Sequence, residues 1–204
     1  FECFPFMYFC CMKIAFHTLG CKLNYSETSF ILKEFQNDGM KITKFSEEAD
    51  IYVINTCSVT ENANKECEQI VKKVKKISPK SIVAVMGCYA QLKPKRISEI
   101  KGVNLVIGSN EKFKLKKYLK EFKESKKNLI KVSDIKTIDN FNNAFSSEER
   151  TRSFLKIQDG CNYKCTFCTI PLARGKSRSN NIEDIINNIN ILKNKKVKEI
   201  VLTG

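Results

Sequence analysis

Apolar and polar positions switch between two periods along this chain, and the switches mark its elements. KIAFHT (13–18), the IYVIN stretch within 50–55, SIVAVMG (81–87) and VNLVIG (103–108) are short apolar runs that predict strands. SIVAVMG is nearly unbroken, as expected of a strand covered on both faces. Residues 41–45 read as a further strand. Phe30, Ile31 and Phe35 set a helical stripe over 26–38. Residues 61–77 carry the clearest helix: Ala63, Cys67, Ile70, Val71, Val74 and Ile77 recur at threes and fours, while Lys72, Lys73, Lys75 and Lys76 take the other side. Pro79 ends it. A short helix near 94–100 follows, then a Lys-rich one near 112–122 striped by Leu115, Leu119 and Phe122.

Strands alternating with helices at this spacing predict a mostly parallel α/β domain over 12–122. Residues 123–150 are polar, Asn-rich and weakly periodic, so they read as a linker with one short strand at 129–132. A second domain is expected over 151–204. There FLKIQD (154–159) is a strand, a cysteine-bearing loop runs to Asn181, and Ile182, Ile185, Ile186, Ile189 and Leu192 stripe a helix before the strand EIVLTG (199–204). One such unit cannot bury both faces of its strands, so further chain is expected beyond it. Met12 opens the first patterned segment. Residues 1–11 therefore read as a leader upstream of the true start, the alternative being an ordered apolar tail.

The 204 residues include 36 basic and 22 acidic side chains, a net charge of +14 spread over both domains. That spread favours a polyanionic partner such as nucleic acid. Since 31 of the basic residues are lysine, a compositional habit of the source genome is the plainer alternative. With 42% hydrophobic residues and only four prolines, collagen-like, mucin-like and wholly disordered classes are excluded. No run of 18 apolar residues exists, so no membrane-spanning helix is expected. Of ten cysteines, three lie in residues 1–11. An odd seven in an αβ chain without a secretion signal argues against disulfides and for metal or iron–sulfur chemistry in a reducing cytoplasm.

Cys161, Cys165 and Cys168 form a C-x3-C-x2-C loop directly after a strand and Gly160. Structural zinc wants a fourth protein ligand, and no second Cys or His pair follows. Three thiolates on a [4Fe–4S] cluster instead leave one iron open for an exogenous ligand. Phe167, between the last two cysteines, is placed to pack on a bound adenine. This loop resembles that of the radical S-adenosylmethionine enzymes, in which it follows the first strand of a partial (β/α) barrel. Cys21, Cys57 and Cys88 each follow a predicted strand, so a parallel sheet brings all three to one edge, where sites usually form. Cys67 sits on the apolar stripe of helix 61–77 and reads as a buried thiol. His17, within a strand, reads as a packing residue.

The words around the dispersed triplet are LGCKLNYSE (19–27), NTCSVT (55–60) and MGCYAQ (86–91), and DGCNYKCTFCTIPLARGKSRS (159–179) surrounds the compact one. Both triplets in this order resemble the radical S-adenosylmethionine methylthiotransferases, with Pro171, Arg174, Gly175, Ser177 and Arg178 in their usual places. The resemblance implies an N-terminal domain holding an auxiliary [4Fe–4S] cluster on Cys21, Cys57 and Cys88. A radical domain holding a second cluster and S-adenosylmethionine on Cys161, Cys165 and Cys168 follows, and then a small RNA-binding β-barrel beyond this chain. It implies replacement of an aryl C–H by C–SCH3 at C2 of adenosine-37 in a tRNA anticodon loop, at the expense of two S-adenosylmethionine molecules. An electron donor such as flavodoxin or ferredoxin is implied as partner. GCKLN (20–24) resembles the branch acting on N6-threonylcarbamoyladenosine; the isopentenyladenosine branch more often reads GCQMN. Asn24 and Asn55 are expected beside the ligands, bonding cluster sulfur or neighbouring backbone. Arg174, Lys176 and Arg178 form a basic patch: Arg174 is assigned to the cofactor, with phosphate or acidic neighbours as alternatives, and Lys176 and Arg178 to RNA. A rival from another class is a non-catalytic, metal-stabilised RNA-binding module. Residues 1–204 alone are not expected to be active.

Overall fold

Where both faces of a strand must be covered, consecutive residues point into different cores, and the first half of the chain is built this way. The computed structural model describes residues 12–57, 62–146 and 152–204, with the side chains of 62–64 outside that set. The proposed leader (1–11), the SVT of NTCSVT and the side chain of Ala63 in the helical stripe thus lie outside the described set. The chain runs β1 (Lys13–Thr18), α1 (Lys22–Asn37), β2 (Lys41–Ile42), β3 (Ile51–Thr56), α2 (Asn62–Ile77), β4 (Ile82–Gly87), α3 (Cys88–Leu92), α4 (Pro94–Ser98), β5 (Leu105–Ile107), α5 (Leu115–Ser125) and β6 (Leu129–Lys131). These strands make one six-stranded sheet in the order β2-β1-β3-β4-β5-β6, every pair parallel.

Alternate residues divide cleanly between the two faces. Ile51, Val53, Ala84, Met86, Leu105 and Ile107 pack beneath Ile31 and Phe35 of α1 and Leu115, Leu119 and Phe122 of α5. Tyr52, Ile54, Val83, Val85 and Val106 face Cys67, Val71 and Val74 of α2, Tyr89 and Ala90 of α3 and Ile97 of α4. Cys67 is fully buried there, as its stripe predicts. His17 is half-buried with its ring 4.8 Å from that of Phe45, and burial lowers its pKa. The register sets Thr18 beside Asn55, Asn55 beside Met86 and Thr56 beside Gly87. The C-terminal ends of β1, β3 and β4 are therefore level. From β1 the chain turns one way to β2 and the other way to β3, which makes this edge a topological switch point.

Several boundaries differ from the sequence pattern for physical reasons. α1 begins at Lys22, ahead of the expected 26, because its first turns bury polar residues (Asn24, Ser26, Glu27 and Thr28) that carry no apolar period. The short strand expected in the linker is β6, hydrogen-bonded to β5 as the edge of the sheet.

The second region contains β7 (Arg152–Lys156), β8 (Gln158–Asp159), α6 (Ile170–Arg174), β9 (Arg178–Ser179), α7 (Ile182–Asn194) and β10 (Glu199–Thr203). β7 and β10 pair in parallel. The strand expected over 154–159 is broken, because Gln158 and Asp159 leave β10 to pair antiparallel with β9 and so close the cysteine loop. Asn181 caps α7 by accepting from the Asp184 amide. On α7, Leu192 is buried, while Ile182 and Ile186 of the predicted stripe are 75% and 51% exposed. β7 packs on α1, with Tyr25 and Phe154 edge to face at 5.8 Å. Among the described residues no helix is long and apolar enough to cross a membrane.

Candidate functional site

The level ends of β1, β3 and β4 put the Cys21, Cys57 and Cys88 turns side by side. Cys21 is the residue on which α1 starts, and Cys88 opens α3 directly after Gly87. Backbone approach at this edge is too close for side chains at two positions. A Cβ on Gly20 would strike that of Cys57 and lie 2.8 Å from its sulfur. A Cβ on Gly87 would strike Asn55 Oδ1 and lie 2.5 Å from the Thr56 carbonyl. Gly87 also has φ +103°, a region where other residues are strained. Cys21 is exposed, Cys57 half-buried and Cys88 buried.

Two asparagines lace the turns together. Asn24 Nδ2 donates to the carbonyls of Leu19 (3.1 Å) and Thr56 (3.2 Å), spanning the segments that lead to Cys21 and Cys57. Asn55 Nδ2 donates to the Asn24 carbonyl (3.1 Å) and to Thr28 Oγ1 (2.9 Å). Asn55 Oδ1 is buried without a hydrogen-bond partner and lies against Gly87, next to Cys88. Both amides thus serve backbone, one of the two roles foreseen for them. Thr56 Oγ1 donates to the Met86 carbonyl at 2.7 Å and ties the third strand in.

The compact triplet sits on the loop between β8 and β9. The Cys161 amide donates to the Gly175 carbonyl (3.0 Å), and the Ser177 amide donates to Asn162 Oδ1 (3.0 Å). Cys165 is exposed, Cys161 and Cys168 are half-buried, and Phe167 stands 90% exposed beside them. None of the seven described cysteines forms a disulfide. Among the described residues no three Cys, His, Asp or Glu side chains stand in metal-ligand geometry, so the fold gathers each triplet onto one loop cluster without converging its sulfurs. The donor set still fits an iron–sulfur centre: thiols only, three to a site, on turns whose glycines let the backbones close up.

Between the two triplets lies a buried charge cluster. Glu27, on α1 and fully buried, receives Lys112 Nζ, Lys156 Nζ (2.9 Å) and both ends of the Arg174 guanidinium (3.1 Å each). Arg174 also donates to Asp159 Oδ1 (2.8 Å) and to Asn24 Oδ1 (2.6 Å), and Lys156 to Asp159 Oδ2 (2.7 Å). Burial alone would raise the Glu27 pKa, but Arg174, Lys112 and Lys156 outweigh it and hold the carboxyl well below its usual range. Burial would lower Arg174; Glu27, Cys88 and Asp159 reverse this and hold it well above its ordinary value. Lys112 is lowered, burial prevailing over the pull of Glu27.

This arrangement corrects two expectations. Arg174, assigned to the cofactor with phosphate or acidic neighbours as alternatives, is 4% exposed and takes the last of these, pairing with Glu27 and Asp159 inside the protein. Arg178, assigned to RNA, donates to the carbonyls of Asn140 (3.1 Å) and Lys176 (2.6 Å), leaving its side chain 10% exposed. Of the basic patch, Lys176 is exposed. Glu27, Lys112, Lys156 and Asp159 were not foreseen. A lysine inside the apolar run FLKI is a sequence signal of a buried ion pair, and it marks Lys156.

Residues 13–108 match the family described as "Uncharacterized protein family UPF0004", and residues 155–204 match the "Radical SAM superfamily". The chain is 42% identical over 196 residues to the threonylcarbamoyladenosine tRNA methylthiotransferase MtaB of Aquifex aeolicus, covering 95% of this chain and 48% of that protein. It is 41% identical over 195 residues to the protein of the same name from Bacillus subtilis, covering 94% and 43%. The tRNA-2-methylthio-N(6)-dimethylallyladenosine synthase of Christiangramia forsetii is 32% identical over 197 residues, covering 94% and 41%. The chain spans about half the length of the curated relatives it matches. With the two matched segments each carrying one cysteine triplet, and the relatives aligned across both, this chain belongs to the radical S-adenosylmethionine methylthiotransferase family.

Proposed function

We propose that this chain carries both cysteine sites of a tRNA methylthiotransferase. Its product is 2-methylthio-N6-threonylcarbamoyladenosine at adenosine-37, made from N6-threonylcarbamoyladenosine with two S-adenosylmethionine molecules and two [4Fe–4S] clusters. The carrying observation is that α1 starts at Cys21 and, within two turns, presents Glu27 to the residues flanking the second triplet. A single helix thus joins the two cysteine loops. Bound clusters would supply reductive cleavage of S-adenosylmethionine at Cys161, Cys165 and Cys168, and a seat for the transferred sulfur at Cys21, Cys57 and Cys88.

The protein's own residues hold and shield these sites. Asn24 and Asn55 fix the turns of the first triplet through their amides. Phe167 offers an apolar ring to the adenine of the cofactor from an exposed position next to Cys168. Lys176, exposed on the second loop, is placed for tRNA phosphate, and Lys176→Ala is expected to flatten the salt dependence of tRNA binding by about one unit of slope. Filter binding across a salt series checks this. Flavodoxin or ferredoxin is the proposed electron donor and the cytoplasm the proposed site of action.

The threonylcarbamoyladenosine branch is favoured by GCKLN and by relatives of that name at 41–42% identity, against 32% for the dimethylallyladenosine synthase. The 32% relative keeps N6-isopentenyladenosine as the second reading. Expressing the full-length protein that contains this chain in a host lacking its own methylthiotransferases, then analysing tRNA nucleosides by mass spectrometry, separates them. Methylthiolated threonylcarbamoyladenosine is expected; methylthiolated isopentenyladenosine alone would move the assignment to the other branch. Absence of both products would count against the enzyme reading.

A further inference from the structure

We propose that Glu27 is an anionic hub that docks the second cysteine loop onto the first site, and that Arg174 is the positioning residue through which that loop reaches it. The inference rests on the reading of both triplets as cluster ligands. The contacts form one continuous path. From the Thr56 carbonyl, next to Cys57, it passes to the Asn24 amide, three residues after Cys21. From Asn24 Oδ1 it passes to Arg174, six residues after Cys168, and on to Asp159, two residues before Cys161. Each step is a hydrogen bond of 3.2 Å or less. Lys156, at the end of β7, repeats the link by bridging Glu27 and Asp159.

Charge makes this more than a staple. The cluster contains four cations (Lys112, Lys156, Arg174 and, 3.6 Å from Asp159, Arg178) against two carboxylates (Glu27 and Asp159), an excess of two positive charges. Glu27, Lys112 and Lys156 have side chains fully shut from water, and that of Arg174 is 4% exposed. An excess charge held there is weakly screened. A cluster on three thiolates is an anion whose potential follows nearby charge and hydrogen bonds. Arg174 belongs to the second region, yet it holds Asn24 in the first. It therefore sets the electrostatics of the Cys21, Cys57 and Cys88 site as well as the seating of its own loop.

Two measurements on the full chain test this. In the metal-free protein, Glu27→Gln should speed amide hydrogen exchange over residues 156–175 at least tenfold and leave α2 unchanged. Adding Lys112→Met, which restores the original charge excess, should recover most of the protection. Should Glu27→Gln also strip protection from α2, Arg174→Met decides in its place, since it removes only the arm from the second region. Unchanged exchange over 156–175 in the deciding variant overturns the docking role. The second measurement uses a background with Cys161, Cys165 and Cys168 replaced by alanine. There Arg174→Met should shift the midpoint potential of the remaining cluster downward, and Arg174→Lys should largely restore it. A potential unmoved by Arg174→Met overturns the electrostatic role. Absence of any iron in that background counts against the ligand reading itself, while the exchange experiment needs no metal and stands apart from it.

Discussion

Every residue of β3 is buried, whereas β10 has no buried residue and leaves Leu202 55% exposed. The two regions therefore position their cysteines by different means. In the first, a parallel sheet covered on both faces fixes the ends of β1, β3 and β4 in register, and the cysteine turns inherit that precision. In the second, the loop of the strand–loop–helix–strand unit contacts α1 through Glu27, Lys156 and Arg174. One site rests on the ends of a two-faced sheet, and a buried ion cluster on the first region's helix ties the other to it.

Removing the hub should have the largest effect. Glu27→Ala leaves three buried cations facing one remaining carboxylate, and loss of one partner from such a cluster costs about 3–5 kcal/mol. Urea unfolding of the full chain should show it as a lowered midpoint. Core truncation separates the regions next. Ile54→Ala, at a fully buried position in the sheet, should cost about 2–5 kcal/mol, while Ile186→Ala on the 51% exposed face of α7 should stay within about 0.5 kcal/mol. The same denaturation series reads both.

A smaller effect probes the edge of the first site. Gly87→Ala forces a side chain into a left-handed backbone and against Asn55 and Thr56, at a cost of about 1–3 kcal/mol. Iron retained at the first triplet should fall with it, read by metal content after reconstitution. The least disruptive test is chemical. Burial pushes the Cys67 thiol up to about 12, so at pH 8 only about one molecule in ten thousand carries the thiolate there. Alkylation of the native metal-free chain should modify the exposed Cys21 and Cys165 and spare Cys67, with peptide mass spectrometry as readout.

Much of the sheet was legible because strands buried on both faces write continuous apolar runs, as SIVAVMG does. The meeting of Cys21, Cys57 and Cys88 at one sheet edge was legible from their place after three strands. The start of α1 was not, because Asn24, Ser26, Glu27 and Thr28 are buried by polar partners and leave no hydrophobic period. The hub was hidden for a related reason. Glu27 meets Lys112, Lys156 and Arg174 across 85, 129 and 147 residues of sequence, and no local pattern encodes such a pairing. Arg174 and Arg178 were misassigned on the same ground: in sequence an arginine near a cofactor loop and an arginine locked into carboxylates or carbonyls look identical. Five-residue α3, opening at Cys88, is too short to show a helical period.

The proposed function requires two separate cluster sites on one chain. Iron and acid-labile sulfide per chain, measured on the anaerobically reconstituted full-length protein beside two alanine variants, tests it most directly. One variant lacks Cys21, Cys57 and Cys88, the other Cys161, Cys165 and Cys168. About eight irons in the parent and about four in each variant is the predicted result, one [4Fe–4S] cluster per triplet. Zinc in place of iron, or an iron content that loss of either triplet leaves unchanged, would contradict it.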